Sequence, residues 1–291
     1  MSEHARGVLI TMLGVLAIVP DTLLIRLIDA PHMAVVFWRS ALSAVAILAV
    51  VVALQRGATL RTLLGLGRAG ALYAVLMAVA STLFVLAAQL TTVANTVFIV
   101  AASPVFAGLM SRIFLAERLS RRMLWTIAFG VAGVAVIASG SIGSGGGALL
   151  GDLAALGAAL ALAASFTVAR GSRHVSMVPA AGLAYLLAAV ATLPFAAPAE
   201  MDGMDWVWAL LLGGVFVPLG TSLMALGPRY IPSAEVALLL LLEAILAPLL
   251  VWAVLGEFPG QLTLVGGAIL ITVLAVSNWV ALRAARARPV A

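Results

Sequence analysis

The sequence contains no cysteine and no lysine, and only 9% of its 291 residues are charged. Without cysteine the chain can form no disulfide and use no thiol chemistry. A soluble protein needs charge over its surface, so the scarcity of charge, together with 64% apolar residues, argues against a soluble globular fold. All 16 positive charges behind the formal net charge of +5 are arginines, and no basic cluster with interleaved aromatics indicates nucleic-acid binding.

Sequence motifs of enzymes and ATP-driven pumps are also missing. The three histidines, His4, His32 and His174, fall in predicted loops or tails, and there is no His-Glu-x-x-His, Gly-x-Ser-x-Gly or Walker-A sequence. We therefore predict no catalytic residue, no metal ligand and no cofactor. An intramembrane enzyme stays a less favoured alternative.

Apolar runs of about 20 residues make up most of the sequence, and each run is long enough to cross a hydrocarbon core ~30 Å thick. The runs do not alternate polar and apolar residues as the strands of a membrane β-barrel would. We predict an all-α membrane protein with ten transmembrane helices, the first of them retained rather than cleaved as a signal peptide. The predicted spans are Gly7–Leu27, Met33–Leu54, Ala69–Gln89, Ala94–Phe114, Met123–Gly140, Gly151–Gly171, Pro179–Ala197, Trp206–Gly227, Glu235–Leu255 and Leu262–Leu282.

The arginines predict the orientation. With the N-terminus in the cytoplasm, 14 of the 16 arginines, all except Arg26 and Arg39, fall at or near the inner side. We expect a multi-pass protein of the inner (cytoplasmic) membrane with both termini cytoplasmic. The glycine-rich stretch Ser141–Gly147 follows five spans and precedes five more, which predicts two repeats, residues 1–145 and 146–291. Because five is odd, the second repeat would enter the membrane from the opposite side.

A weak internal echo agrees with duplication. At an offset of 140 residues, the stretch Ala94–Ser120 shares five identities with Ala234–Gly260, among them Glu117 with Glu257. Arginines follow Glu117 but not Glu257, as expected if the two positions lie on opposite sides of a membrane.

Several short motifs resemble one known family. Ser103-Pro104-Val105-Phe106 leads to Glu117-Arg118-Leu119-Ser120, and the second half has Leu242-Glu243-Ala244 followed by Pro248 and Leu255-Gly256-Glu257. Phe37-Trp38-Arg39 is similar to the aromatic-x-Arg of the second span. With ten spans in two inverted halves, the chain resembles the drug/metabolite transporter superfamily, EamA type. It departs from the family at Ala244, where a proline is usual, and at Pro20-Asp21, where many members are rich in tryptophan.

The resemblance implies secondary transport of small solutes through a central cavity formed by spans one to four and six to nine, with spans five and ten as peripheral supports. Many such proteins export amino acids, drugs or other metabolites, so we expect an exporter of amino acids or of amphipathic or cationic solutes, with protons as a potential coupling ion. An uptake carrier and a channel are the alternatives. The expected partners are a small-molecule substrate and the lipid bilayer, and the oligomeric state is left open.

Ionisable residues inside spans are costly and mark candidate sites. Asp21 and Arg39 lie ~10 Å below the outer ends of consecutive spans, so they can pair across a short hairpin. Such a pair is either a structural pin, a gate, or a partner for charged substrate groups. Glu243 lies near the midplane within an apolar run, and desolvation there disfavours its charged form. It is a candidate for proton coupling or for binding a substrate amine, with a packing role as the alternative.

Aromatic and polar side chains on shared helix faces complete the candidate substrate site, although such stripes are often ordinary packing. The predicted substrate-binding residues are Glu243, Arg39, Asp21, Trp38, Tyr73, Ser81, Phe84, Asn95, Phe98, Tyr185 and Trp252. Prolines within spans, at Pro20, Pro104, Pro218 and Pro248, predict kinks. Small residues such as Gly14, Gly133 and Gly266 predict close helix contacts.

Overall fold

A computed structural model describes residues 3–55, 65–114, 116, 120–142, 146–172, 177–197, 200–226, 230 and 233–286. Within these ranges the chain is helical and contains no strand. The helices of the first half are α1 (Glu3–Ile18), α2 (Asp21–Leu27), α3 (His32–Gln55), α4 (Gly67–Leu90), α5 (Val93–Ala101), α6 (Ser103–Phe114) and α7 (Arg121–Ser141). Those of the second half are α8 (Gly146–Gly171), α9 (Val178–Thr192), α10 (Gly203–Ala209), α11 (Val217–Leu226), α12 (Ser233–Leu255) and α13 (Gln261–Arg286).

Eight of the described segments are long and apolar enough to cross a membrane, when helices on either side of a short break are joined. Two further apolar helices, Pro179–Phe195 and Leu239–Leu255, are shorter. The all-helical membrane class is therefore confirmed, while the count of ten spans stays a prediction. Glu117 and most of the stretch around it lie outside the described residues.

Two of the four intramembrane prolines coincide with breaks in a helix. Pro20 follows the end of α1, and α2 begins at the next residue. Pro104 lies in the first turn of α6, just after a break at Ala102. A proline lacks the N–H that would bond to the preceding turn, so it fits a helix start but not a helix interior. Pro218 follows a stretch of π-helix, Leu210–Phe216, whereas α12 continues through Pro248.

Close approach of the halves depends on glycine at defined points. A Cβ added at Gly266 of α13 would lie 2.6 Å from the carbonyl oxygen of Gly133 in α7, and one added at Gly14 of α1 would lie 2.9 Å from Leu223 Cβ in α11. Any side chain at these positions would push the helices apart. The predicted packing role of these glycines is confirmed, since α7 packs along α13 and α1 along α11.

Side-chain contacts identify the two ends of the bundle. At one end, which we call the Asp29 end, the Asp29 backbone N–H donates to Asp205 Oδ1 at 3.1 Å, joining the loop after α2 to α10. At the opposite end, the Arg6 guanidinium lies 5.5 Å from the ring centroid of Tyr230. Residues from both halves thus meet at each end.

Candidate functional site

Arg39 of α3 and Asp21 of α2 form a buried ion pair. Arg39 Nε donates to Asp21 Oδ1 at 3.0 Å and Nη2 donates to Asp21 Oδ2 at 2.6 Å. The side chains are only 5% and 4% exposed. Two parallel N–H···O bonds fix both the distance and the relative orientation of the two groups. The pairing predicted from their matched depth is therefore confirmed.

Three more predicted residues surround the Arg39 guanidinium. Arg39 Nη1 donates to Ser81 Oγ of α4 at 2.8 Å. Its carbon Cζ lies 5.8 Å from the ring centroid of Phe84 and 5.9 Å from that of Tyr185. Tyr185 and Phe84 thus present aromatic faces to the guanidinium. The charge of Arg39 is therefore stabilised by one carboxylate, one hydroxyl and two aromatic faces.

Glu243 of α12 faces the same group from the second half of the chain. Helix α12 packs against α2, the helix of Asp21, so Glu243 lies within electrostatic range of both Asp21 and Arg39. Its side chain is partly exposed and forms no hydrogen bond or ion pair with another described residue. Because Asp21 already neutralises Arg39, Glu243 is the carboxylate of this group that has no direct partner among the described residues.

The seven predicted residues that come together here form what we call the Arg39 cluster: Arg39, Asp21, Ser81, Phe84, Tyr185, Tyr73 and Glu243. Tyr73 of α4 is buried, and we include it because α4 packs along α9, the helix of Tyr185. The cluster draws on α2, α3, α4, α9 and α12, and so on both halves of the sequence.

Two local features of the backbone position the ion pair. The break at Pro20 puts Asp21 in the first turn of α2, where the positive end of the helix dipole favours a carboxylate. On the other side, Gly213 of the π-helical stretch lies against the backbone of Arg39: a Cβ there would be 2.8 Å from the Arg39 carbonyl oxygen. The absence of a side chain at Gly213 lets this stretch press directly on α3.

Four predicted residues make their principal contacts elsewhere. Trp38 packs edge-on against Trp206 at 4.6 Å between ring centroids, and Phe98 lies against Gly267 of α13. Trp252 is 46% exposed, and its ring packs against Phe258 in the loop after α12. Asn95 belongs to a separate buried polar network. The role of all eleven residues in substrate binding stays a prediction.

That second network contains a carboxylate which the sequence did not single out. Asp152 of α8 is 3% exposed, and its Oδ1 accepts from Thr91 Oγ1 at 2.8 Å and from Asn95 Nδ2 at 2.9 Å. Thr263 Oγ1 of α13 donates to Asn95 Oδ1 at 2.6 Å. In the sequence, Asp152 lies close to the start of an apolar run, and a carboxylate at such a position is more typical of the membrane interface than of a buried network.

A second ion pair, also unforeseen, joins the halves at the Asp29 end. Arg26 Nη2 lies 3.0 Å from Glu257 Oε2 and 2.7 Å from the Thr91 carbonyl oxygen to which it donates. Glu257 Oε1 accepts from the backbone N–H of Val93 at 2.7 Å. Arg26 does not extend freely toward the membrane surface, because it is held by this carboxylate and by two backbone carbonyls.

The helices and the intramembrane charges define a multi-pass membrane protein whose buried polar groups join its two halves. The EamA-like transporter family model matches the chain twice, over residues 5–139 and 149–279, and the chain belongs to that family. The resemblance to the EamA type of drug/metabolite transporter is therefore confirmed.

A search of solved structures gives the same fold. One match, titled "Crystal structure of protein", has a TM-score of 0.67 and 18% sequence identity, and the alignment covers 96% of this chain and 99% of that one. No curated protein matches the chain.

Proposed function

We propose that the chain is a secondary transporter that exports small zwitterionic or cationic metabolites by alternating access. The observation that carries the proposal is the charge arrangement of the Arg39 cluster. Asp21 neutralises Arg39, while Glu243 has no ion-pair partner among the described residues and a partly exposed side chain. An unpaired carboxylate inside a membrane protein is stabilised by a positively charged group, so it favours substrates that bring an amine.

The same arrangement disfavours anions. A dianion such as a phosphorylated sugar needs unpaired arginines, since guanidinium groups bind phosphate by paired hydrogen bonds. Arg39 has both of its paired donors engaged by Asp21. Amino acids and organic cations therefore rank above phosphorylated compounds as substrates.

Contacts between the halves support the inverted-repeat arrangement in which the proposed transporter would work. In two inverted repeats of five spans, span one is equivalent to span six and span three to span eight. A contact between spans one and eight should therefore be matched by a contact between spans six and three. Both contacts occur: α1 packs on α11, and α8 packs on α4. Span five likewise packs on its equivalent, span ten, as α7 on α13. Such a repeat would allow the halves to open alternately toward each side around the Arg39 cluster.

Proton coupling would use the same carboxylate. When the substrate amine leaves, a proton on Glu243 would remove the unbalanced charge, so proton and substrate would bind in turn. The direction of net transport would then follow the proton gradient, inward movement of protons driving outward movement of substrate.

The test is counterflow of labelled solutes in proteoliposomes that contain the purified protein. We expect labelled amino acids or organic cations to accumulate against unlabelled substrate, and a phosphorylated sugar not to accumulate. Glu243→Gln keeps the side-chain shape and should abolish coupling to a pH gradient. Glu200→Gln, the same change at an exposed loop position, is the matched control. Strong counterflow of a dianion, or normal pH dependence in Glu243→Gln, would reject the assignment.

A further inference from the structure

The buried network around Asp152 has the composition of a cation site. Besides the contacts given above, Asn95 Nδ2 lies 3.0 Å from Ser141 Oγ and 3.2 Å from Thr91 Oγ1. We call these five residues the Asp152 cluster: Thr91, Asn95, Ser141, Asp152 and Thr263. All are at most 5% exposed, and each supplies at least one side-chain oxygen.

The charge of Asp152 is incompletely satisfied. Its Oδ1 accepts two hydrogen bonds, both from neutral groups, whereas its Oδ2 is buried and has no hydrogen-bond partner within the described part of the chain. Neither ion pair that the described residues form involves this carboxylate. A buried carboxylate without a cation is expensive, so the arrangement requires a positive charge to be supplied from outside the protein.

Arg26, which contacts the backbone of the cluster at Thr91, does not supply that charge. Arg26 donates to the backbone carbonyl of Thr91, but its own charge is matched by Glu257. The helix ends at the cluster do not supply it either, because their dipoles oppose one another. Thr91 is the C-cap of α4 and Ser141 the last residue of α7, whereas Asn95 and Thr263 lie in the first turns of α5 and α13.

Close packing brings the carboxylate to this position. A Cβ added at Gly151 would lie 2.5 Å from the backbone nitrogen of Thr91. The missing side chain allows α8 to rest directly on the end of α4, which places the next residue, Asp152, against the Thr91 hydroxyl. The cluster therefore joins α4, α5, α7, α8 and α13.

We propose that the Asp152 cluster binds one sodium ion. A hard cation prefers oxygen ligands, and the cluster offers carboxylate, hydroxyl and amide oxygens. A single carboxylate balances a single positive charge, which favours a monovalent over a divalent ion. The site is separate from the Arg39 cluster, and its occupancy does not depend on the proposed transport function.

The Asn95 amide is the group that would change on binding. Its nitrogen is surrounded by three acceptors but has only two hydrogens to donate. Rotation of the amide by half a turn would place Oδ1 where Nδ2 now lies. The amide oxygen would then face the Asp152 carboxylate and the hydroxyls of Thr91 and Ser141, as oxygen ligands of one ion.

The experiment measures thermal unfolding of the purified full chain in detergent, without any transport substrate. Sodium chloride is exchanged for choline chloride at constant ionic strength and constant pH, with potassium chloride as a further arm. Above the dissociation constant, each tenfold increase in sodium should raise Tm by roughly 2–5 °C, because only the folded state contains the site. Choline should have no such effect, and potassium should have a smaller one.

Substitutions locate the effect. Asp152→Asn should abolish the sodium dependence of Tm, and Thr263→Val should weaken it. Thr167→Val is the matched control, since Thr167 is a buried threonine of α8 whose hydroxyl donates to the Ala163 carbonyl of its own helix. It should lower Tm equally in sodium and in choline and leave the dependence unchanged.

Equal Tm values in sodium and choline for the unmodified protein would overturn the proposal. So would a dependence on pH alone, which would mean that a proton rather than sodium neutralises Asp152. If Asp152→Asn does not fold, the Tm values of the unmodified protein and of Thr263→Val in sodium, potassium and choline still decide whether the cluster binds sodium. A sodium dependence without counterflow activity would support this site while rejecting the proposed transport function.

Discussion

Arg39 Nη2 lies 2.6 Å from Asp21 Oδ2, and Arg39 Nε lies 3.0 Å from Asp21 Oδ1, in a region where both side chains are almost completely buried. The pair connects α2 to α3 directly after the break at Pro20. A buried ion pair of this kind adds little net stability, because desolvation opposes the attraction, but it strongly penalises the loss of one partner. Its main effect is to fix one arrangement of the first two spans.

We therefore predict coupling between Asp21→Asn and Arg39→Gln. Each single substitution leaves a buried charge without its partner and should lower the free energy of unfolding by about 3–5 kcal/mol. The double variant should lose less than the sum of the two, since neither charge remains. Unfolding of all four proteins in detergent gives the coupling energy, and strictly additive losses would contradict a direct pair.

This pair could be predicted from the sequence because it depends on depth alone. Span limits follow from the lengths of apolar runs, and two charges at one depth on consecutive spans have few other partners. The pairing of Arg26 with Glu257 depends instead on how distant segments pack, and one sequence does not contain that information. Glu243 was predicted from its position in an apolar run, which is again a local signal.

The candidate site was predicted less completely than the spans, because it too depends on how distant segments pack. Ser81, Phe84 and Tyr185 were named as residues facing the interior, and they meet at Arg39. Trp252 was named on the same grounds, yet it packs against Phe258. Almost every face of these helices is apolar, so composition does not distinguish the face that turns inward from the face that turns to lipid.

The glycine contact between α7 and α13 gives a prediction about packing. Gly266→Ala would bring a methyl group to within 2.6 Å of the Gly133 carbonyl oxygen, so the helices must separate. We expect the free energy of unfolding to fall by about 1–3 kcal/mol. Gly214→Ala is the matched control: its added Cβ meets nothing within 4 Å, and the variant should be as stable as the unmodified protein or slightly more so.

Orientation in the membrane can be tested by cysteine labelling, because the chain has no cysteine of its own. The arginine distribution predicts that Ser144→Cys faces the outside of the cell and Ser120→Cys faces the cytoplasm. In intact cells an impermeant maleimide should label the first and spare the second, and both should react after permeabilisation. Labelling of Ser120→Cys alone in intact cells would invert the proposed topology, and equal labelling of both would rule out an odd number of spans between them.

The final prediction concerns Glu257, whose two carboxylate oxygens have different partners. Oε2 pairs with Arg26, while Oε1 accepts from the backbone N–H of Val93 at the start of α5. Glu257→Gln removes the charge but retains an oxygen that can accept from Val93. Because the Arg26 and Glu257 side chains are 25% and 23% exposed, we expect a loss of only about 0.5–1 kcal/mol in the free energy of unfolding.

Glu257→Ala removes both interactions and should cost about 1–3 kcal/mol more than Glu257→Gln, because the Val93 N–H loses its acceptor. Raising the potassium chloride concentration should reduce the gap between Glu257→Gln and the unmodified protein, since salt screens a partly exposed pair, but it should leave the gap between the two variants nearly constant. Denaturant unfolding of the three proteins at low and high salt provides the measurement. Equal stabilities of the two variants would show that the contact with Val93 contributes nothing and that the ion pair alone holds Glu257 at this end of the bundle.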